Sequence, residues 1–207
     1  MKVPFYRQTL DFTCGPASLL MAIGAHDPEF RPTLEEEVDI WREATLGAVP
    51  ATSRHGLALA ALRRGFRARI VSNIDGIAFR RRIEARMPDF FDAKTLETLW
   101  EDRRRRAHAA GIPEERRQVT MADVEGALEA GEVPILLTST VHFDESEDVP
   151  HWVVVGAREG DGFLVLNPLD EAPPKVHVPR RLMETVLDGY EGDQELVLVG
   201  PRASRGR

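Results

Sequence analysis

Residues 6–23 read YRQTLDFTCGPASLLMAI, and they constrain the fold more than any other stretch, because a loop must turn into a helix at the only cysteine, Cys14. Gly15 and Pro16 follow directly. Proline is tolerated in a first helical turn, where its missing N–H would have gone unpaired anyway. The apolar, Ala- and Leu-rich run beyond predicts a helix over about 15–25, entered from a short strand at 3–8. A helix N-terminus offers free N–H groups and partial positive charge, and both favour a thiolate over a thiol. Gln8, six residues upstream, carries a side-chain amide that could converge with the Cys14 N–H on one point, as a donor pair for a developing oxyanion. A lone cysteine is, however, often a small inert hydrophobe. Its reading as a nucleophile depends on partners elsewhere in the chain.

Composition narrows the classes. A chain of 207 residues can bury a core without staples, and one cysteine cannot form an intramolecular bridge. That fits a reducing compartment, and the N-terminus shows no apolar signal region, so a soluble, cytoplasmic protein is expected. No run approaches the roughly 18 apolar residues that span a bilayer. The formal net charge of -7 argues against general nucleic-acid binding. One cysteine and scattered histidines do not match zinc spacing, and no glycine-rich phosphate loop is present, so neither metal nor cofactor is expected.

Thr33 with Glu36 forms a capping-box pattern opening a helix towards residue 46, with Leu34, Val38 and Trp41 at helical spacing. Ser53 caps a third helix, RHGLALAALRRG, stopped by Gly65, and FRARIVS at 66–72 alternates like a strand with one wet face. Residues 75–118 are Arg-rich and read as a helical insert broken at Pro88 and Gly111, with arginine runs at 80–82 and 103–106. Glu101 and Arg105 suit an i,i+4 pair on a solvated face, worth only about 0.3–0.5 kcal/mol. The functional counterpart is a basic rim that captures acidic tails. Thr120 and Asp123 open another helix that Gly131 closes. Five strands are expected at 134–139, 151–157, 163–166, 175–178 and 195–199, with EGDG at 159–162 as a hairpin turn, a helix at 179–187, and a frayed tail at 202–207. Helices carrying the cysteine and then an antiparallel sheet describe an α+β domain of two lobes, one domain over 1–207, with a cleft between the lobes.

A thiolate nucleophile needs a base, and the base needs a group that holds its ring. His26, His108 and His177 read as plain surface residues, and His55 and His142 as weaker competitors. His151 begins the strand HWVVVGA, and Asn167, sixteen residues on, ends FLVLNP. In an antiparallel hairpin the start of one strand lies beside the end of the next, so the two should be neighbours. An Asn oxygen accepting from one ring nitrogen would aim the other at Cys14. Asp170 is the fallback for that role.

The motifs QTLDFTCGPASLLM and HWVVVGA followed by FLVLNP resemble the C39-like peptidase family of the papain-like cysteine peptidase superfamily. The resemblance implies a papain-like two-lobe fold, with Cys14 as nucleophile, His151 as base, Asn167 as its orienting partner and Gln8 in the oxyanion hole. The stretch WREATLGAVPATSRHGLALAALRRGF is similar to a stand-alone bacterial branch. The best-known members carry Asp where this chain has Asn167, and they are N-terminal domains of exporters that cut leader peptides after paired glycines. With no exporter here, that substrate is not carried over. The stand-alone branch resembles proteins encoded near enzymes that attach glutamates to other proteins, which suggests an acidic peptide or protein substrate. The expected activity is hydrolysis of a peptide or amide bond through a thioester. Transfer to an amine at the same site is the alternative, and a non-catalytic peptide-binding module the third reading.

Overall fold

Strands that are apolar on both faces must be covered on both, and the runs at 133–139, 151–156 and 195–200 are of that kind. The computed structural model describes residues 1–47, 51–75, 93–143, 148–169 and 174–202. Its strands are β1 (Phe66–Ser72), β2 (Glu114–Arg116), β3 (Val133–Ser139), β4 (Pro150–Glu159), β5 (Gly162–Leu166), β6 (Lys175–Pro179) and β7 (Glu195–Arg202). They form one seven-stranded sheet in the order β2-β1-β7-β3-β4-β5-β6. All neighbours are antiparallel except β1 and β2. Six helices accompany the sheet among the described residues: α1 (Cys14–His26), α2 (Leu34–Ala44), α3 (Arg54–Arg63), α4 (Ala93–Ala109), α5 (Met121–Glu129) and α6 (Arg180–Leu187). None is long and apolar enough to cross a membrane.

Alternation along the strands divides the core in two. Ile135, Leu137, Trp152, Val154, Val197 and Val199 pack with α1, α2 and α3. Their neighbours Leu136, Val153, Val155, Leu196 and Leu198 pack with residues of α5 and α6. With side chains alternating across the pleat, β3, β4 and β7 each contribute to both layers, and each buried Val, Leu or Ile contributes roughly 1.5–3 kcal/mol. The architecture is α+β.

Three local expectations change, and β1 keeps its place. Residues 3–8 belong to no strand; Pro4 lacks the N–H a ladder needs and packs instead against Gly24 of α1. The buried face of α2 is Glu37, Ile40 and Ala44, while Leu34 is exposed. β1 forms as expected, with Phe66 and Ile70 buried and Arg67 exposed; β7 and β2 pair with it on either side, and its Arg69 meets Glu132 at 2.7 Å. The segment read as helical to Gln118 closes with β2, which runs parallel to β1. Residues 76–92, with the first arginine run and Pro88, lie outside the described residues, as does most of the predicted tail.

Candidate active site

Helix α1 begins at Cys14. Its N-cap residue, Thr13, makes no side-chain capping bond, and no acid occupies the first turn. The helix sits on β4, where the Ser18 hydroxyl donates to the Trp152 carbonyl at 3.2 Å. Gly15 makes the close approach possible, since a Cβ there would fall 2.1 Å from the Thr52 hydroxyl and 3.2 Å from Trp152 Cδ1. The thiol is half-buried. Burial pushes its pKa up, against hydrogen bonds from the backbone of Trp152, of Gly15 and of Cys14 itself that pull it down. The helix terminus therefore acts in the expected direction and loses to desolvation, so the free protein holds a thiol.

Gln8 is buried at the end of the extended N-terminal segment, which its own N–H ties to the Pro168 carbonyl at 2.9 Å. Its side-chain Nε2 donates to the Leu10 carbonyl at 3.0 Å. An amide nitrogen carries two hydrogens, so this bond orients Gln8 and leaves one donor. Leu10 also accepts from the Thr13 N–H at 3.1 Å. The loop before Cys14 is thus closed on itself.

His151 follows the exposed Pro150 at the start of β4 and is itself 2% exposed. Thr138 stands opposite His151 on β3, and Val154 opposite Leu166 on β5. That register places Asn167 diagonally across from His151 and on the same face, because both stand an odd number of residues from the Val154–Leu166 pair. Their ring nitrogen and amide oxygen, His151 Nε2 and Asn167 Oδ1, lie 2.8 Å apart. The same oxygen accepts from the Leu169 N–H at 3.1 Å, which fixes the amide's orientation and makes Nε2 the protonated nitrogen. Phe143 packs edge-on with ring centroids 6.4 Å apart. Burial lowers the His151 pKa to about 4, against the Asn167 hydrogen bond that raises it. Nδ1 is then the free base of the ring. Among the described residues no hydrogen bond joins it to Cys14; the thiol meets β4 at the backbone of Trp152, the next residue along. Asp170 lies outside the described residues.

The other histidines separate clearly. His26, expected at the surface, is half-buried and bonds the Val199 carbonyl at 2.9 Å, because α1 ends against β7. His177 contacts the Glu159 carbonyl at 3.1 Å, and His108 is exposed on α4. His142 lies on a short turn after β3, its pKa lowered by burial against the nearby Asp148 and Asp188. His55 is fully buried and lies 3.0 Å from both oxygens of Glu114 on β2. Arg54 bridges Glu114 at 3.2 Å and Glu195 at 3.1 Å.

Two features are missed by sequence reasoning. One is this Arg54–His55–Glu114–Glu195 cluster, in which Arg54, His55 and Glu195 are buried and Glu114 reaches in from the exposed β2; its acids come from strands distant in sequence. The other is Glu37, which reads as one of three first-turn acids yet shares a helix face with Ile40 and Ala44; that i, i+3, i+7 spacing is the signal that marks it. The basic run at 103–106 is paired within α4: Arg104 with Glu101 at 2.9 Å, and Arg105 and Arg106 with Asp102 at 3.3 and 2.7 Å. Arg104, not Arg105, is thus the partner of Glu101. Arg103 donates to the Thr45 carbonyl at 3.1 Å.

A model of the Peptidase_C39-like family matches residues 3–181. No curated protein matches the chain significantly. Among solved structures, one assigned as a C39-like peptidase from Bacillus anthracis shares the fold at 14% identity, covering 98% of this chain and 100% of that one with a TM-score of 0.53. The peptidase domain of Streptococcus ComA, a bifunctional ABC transporter involved in quorum sensing, aligns at 12% identity over 96% of this chain and 98% of that one, with a TM-score of 0.49. A double glycine motif protease from an AMS/PCAT transporter, solved with its leader peptide, aligns at 16% identity over 97% and 92%, with a TM-score of 0.48.

Proposed function

The chain belongs to the Peptidase_C39-like family, and from that premise we propose that it is a papain-like cysteine peptidase or amidohydrolase, acting through a thioester on Cys14. The observation that carries this reading is the 2.8 Å bond between His151 and Asn167 on adjacent strands, in a chain whose only cysteine opens the helix packed on the same strand. Asn167 holds the proton on Nε2 and so keeps Nδ1 a base.

Because burial favours thiol over thiolate and neutral imidazole over imidazolium, proton transfer accompanies attack instead of preceding it. Cys14 Sγ bonds to the carbonyl carbon while its proton passes to His151 Nδ1. The remaining Gln8 amide hydrogen and the Cys14 N–H stabilise the oxyanion. Collapse breaks the C–N bond, and the imidazolium returns its proton to the departing amine. Water then attacks the thioester, giving one proton to His151, which passes it to the leaving Cys14 sulfur. The proposal extends to peptide or protein substrates and not to a preference for acidic ones, since three of the four arginines of the basic run are paired on their own helix.

The test is intact-mass labelling with iodoacetamide beside turnover of a pooled fluorogenic peptide library. Cys14→Ala is expected to abolish both. Gln8→Ala is expected to keep labelling and lose about 100–1,000-fold in kcat, the effect of removing one oxyanion donor. A folded protein that neither labels at Cys14 near neutral pH nor turns over the library sinks the reading.

A further inference from the structure

Glu37 is fully buried, yet the proposed mechanism gives it no part. A buried carboxylate persists only where donors replace its water, and the donors here are informative. Oε2 accepts from the Tyr6 hydroxyl at 2.8 Å and the Thr9 hydroxyl at 2.6 Å. Oε1 accepts from the Thr9 N–H at 2.8 Å and from the Thr13 hydroxyl. All four come from one loop. Tyr6 and Thr9 bracket Gln8, and Thr13 immediately precedes Cys14. The loop's own bonds, Gln8 Nε2 to Leu10 O and Thr13 N to Leu10 O, make it a small closed unit, and Glu37 fastens that unit to α2 at both ends. Thr13 spends its hydroxyl in this cluster and makes no side-chain cap on α1.

The geometry points to Glu37 as a positioning residue that holds the Gln8 amide and the Cys14 N–H in one register for the oxyanion. The inference rests on the proposed peptidase reading and adds a residue to it. Glu37 touches no reacting atom and works through Gln8 and the loop. Displacement of a catalytic group by about 1 Å can cost on the order of 100-fold in rate, so loosening this anchor acts on kcat far more than on KM.

Turnover of the pooled peptide library per iodoacetamide-titrated Cys14 tests this in the full chain. Glu37→Ala removes all four acceptor contacts and is expected to lower kcat roughly 100-fold, with KM within about threefold. Glu37→Gln keeps the side chain's length and one oxygen for Thr9 and Thr13, and is expected to recover at least about tenfold of that loss. On a Gln8→Ala background Glu37→Ala should cost less than about threefold, because residues acting as one unit are not additive. Should Glu37→Ala fail to fold, Thr13→Val cuts the tether beside Cys14 and leaves three donors on the carboxylate; a roughly tenfold fall in kcat with the same non-additivity supports the assignment. A kcat per labelled Cys14 within twofold of wild type, or an equal loss with and without Gln8, overturns it. If the wild-type chain itself neither labels nor turns over, the peptidase reading falls and this inference with it; if wild type is active, only the role of Glu37 is at stake.

Discussion

His55 and His151 are both buried, at 0% and 2% exposure, and burial pushes both below the usual histidine range. They differ in what holds them. His55 faces a carboxylate, Glu114, that burial would raise but that His55 and Arg54 together hold at about 2. Arg54 supplies the cation of that cluster, so His55 serves as a neutral donor locked between β2, α3 and Trp100, whose ring meets it edge-on at 5.3 Å. His151 faces an uncharged amide. Among the described residues, a proton arriving on His151 finds the Asn167 amide and no hydrogen-bonded carboxylate, and one leaving exposes no stranded ion. The first arrangement suits fastening elements together, and the second suits a ring that must gain and lose a proton within one cycle.

Breaking each partner should separate the roles. His151→Gln is expected to cost about 100–10,000-fold in turnover while leaving the thermal unfolding midpoint near that of wild type. Glu114→Ala takes the carboxylate partner from His55 and one of two from Arg54, which keeps Glu195, and is expected to cost about 1–3 kcal/mol in denaturant unfolding, with turnover per folded molecule unchanged. Loss of activity in Glu114→Ala without loss of stability would erase the distinction.

The next effect is on pH. Both folded histidines bind protons less readily than in the unfolded chain, so the unfolded state holds more protons as pH falls below about 6.5. Stability is complete above that value and declines as pH drops, through about 4 for His151. His151→Gln should flatten urea-derived stability in this window by up to about 1.4 kcal/mol per pH unit. With His151 as the base of the proposed mechanism, the acid limb of kcat/KM should fall near pH 4 and not near 6.5. An acid limb at the ordinary histidine value would place His151 in a more polar setting than the structure shows.

The smallest expected effect is at the basic run. Arg105→Glu and Arg106→Glu remove exposed pairs and should each change stability by less than about 1 kcal/mol. They should leave KM for acidic and neutral peptides equally unchanged. A selective rise in KM for acidic peptides would restore the basic-rim reading.

Local features were readable because the signals lie close together in the chain. The Gly-Pro step after Cys14 marks the start of α1, Ser53 and Gly65 bracket α3, and EGDG joins β4 to β5. From that hairpin alone the proximity of His151 and Asn167 follows. Residues 3–8 read as a short strand leading into the Cys14 turn, yet Pro4 denies the ladder a donor. β2 was hidden for a different reason: three residues with exposed side chains carry almost no periodic signal, and the parallel pairing with β1 spans some forty residues of intervening chain.

By itself, then, the sequence determined the α+β order of elements, the hairpin that brings His151 to Asn167, and the helix start at Cys14, all of which rest on spacing over a few residues. Only the tertiary structure decided which acids meet buried partners. Glu37 reads as one more helix-start acid and becomes the anchor of the Cys14 loop; Glu114 reads as part of a solvated insert and becomes the partner of Arg54 and His55. Burying a carboxylate is favourable only where several donors converge on it, and those donors come from segments that meet after the sheet has closed. The same enclosure reverses the bias of the helix terminus at Cys14, since desolvation depends on what covers a group and not on its neighbours in the chain.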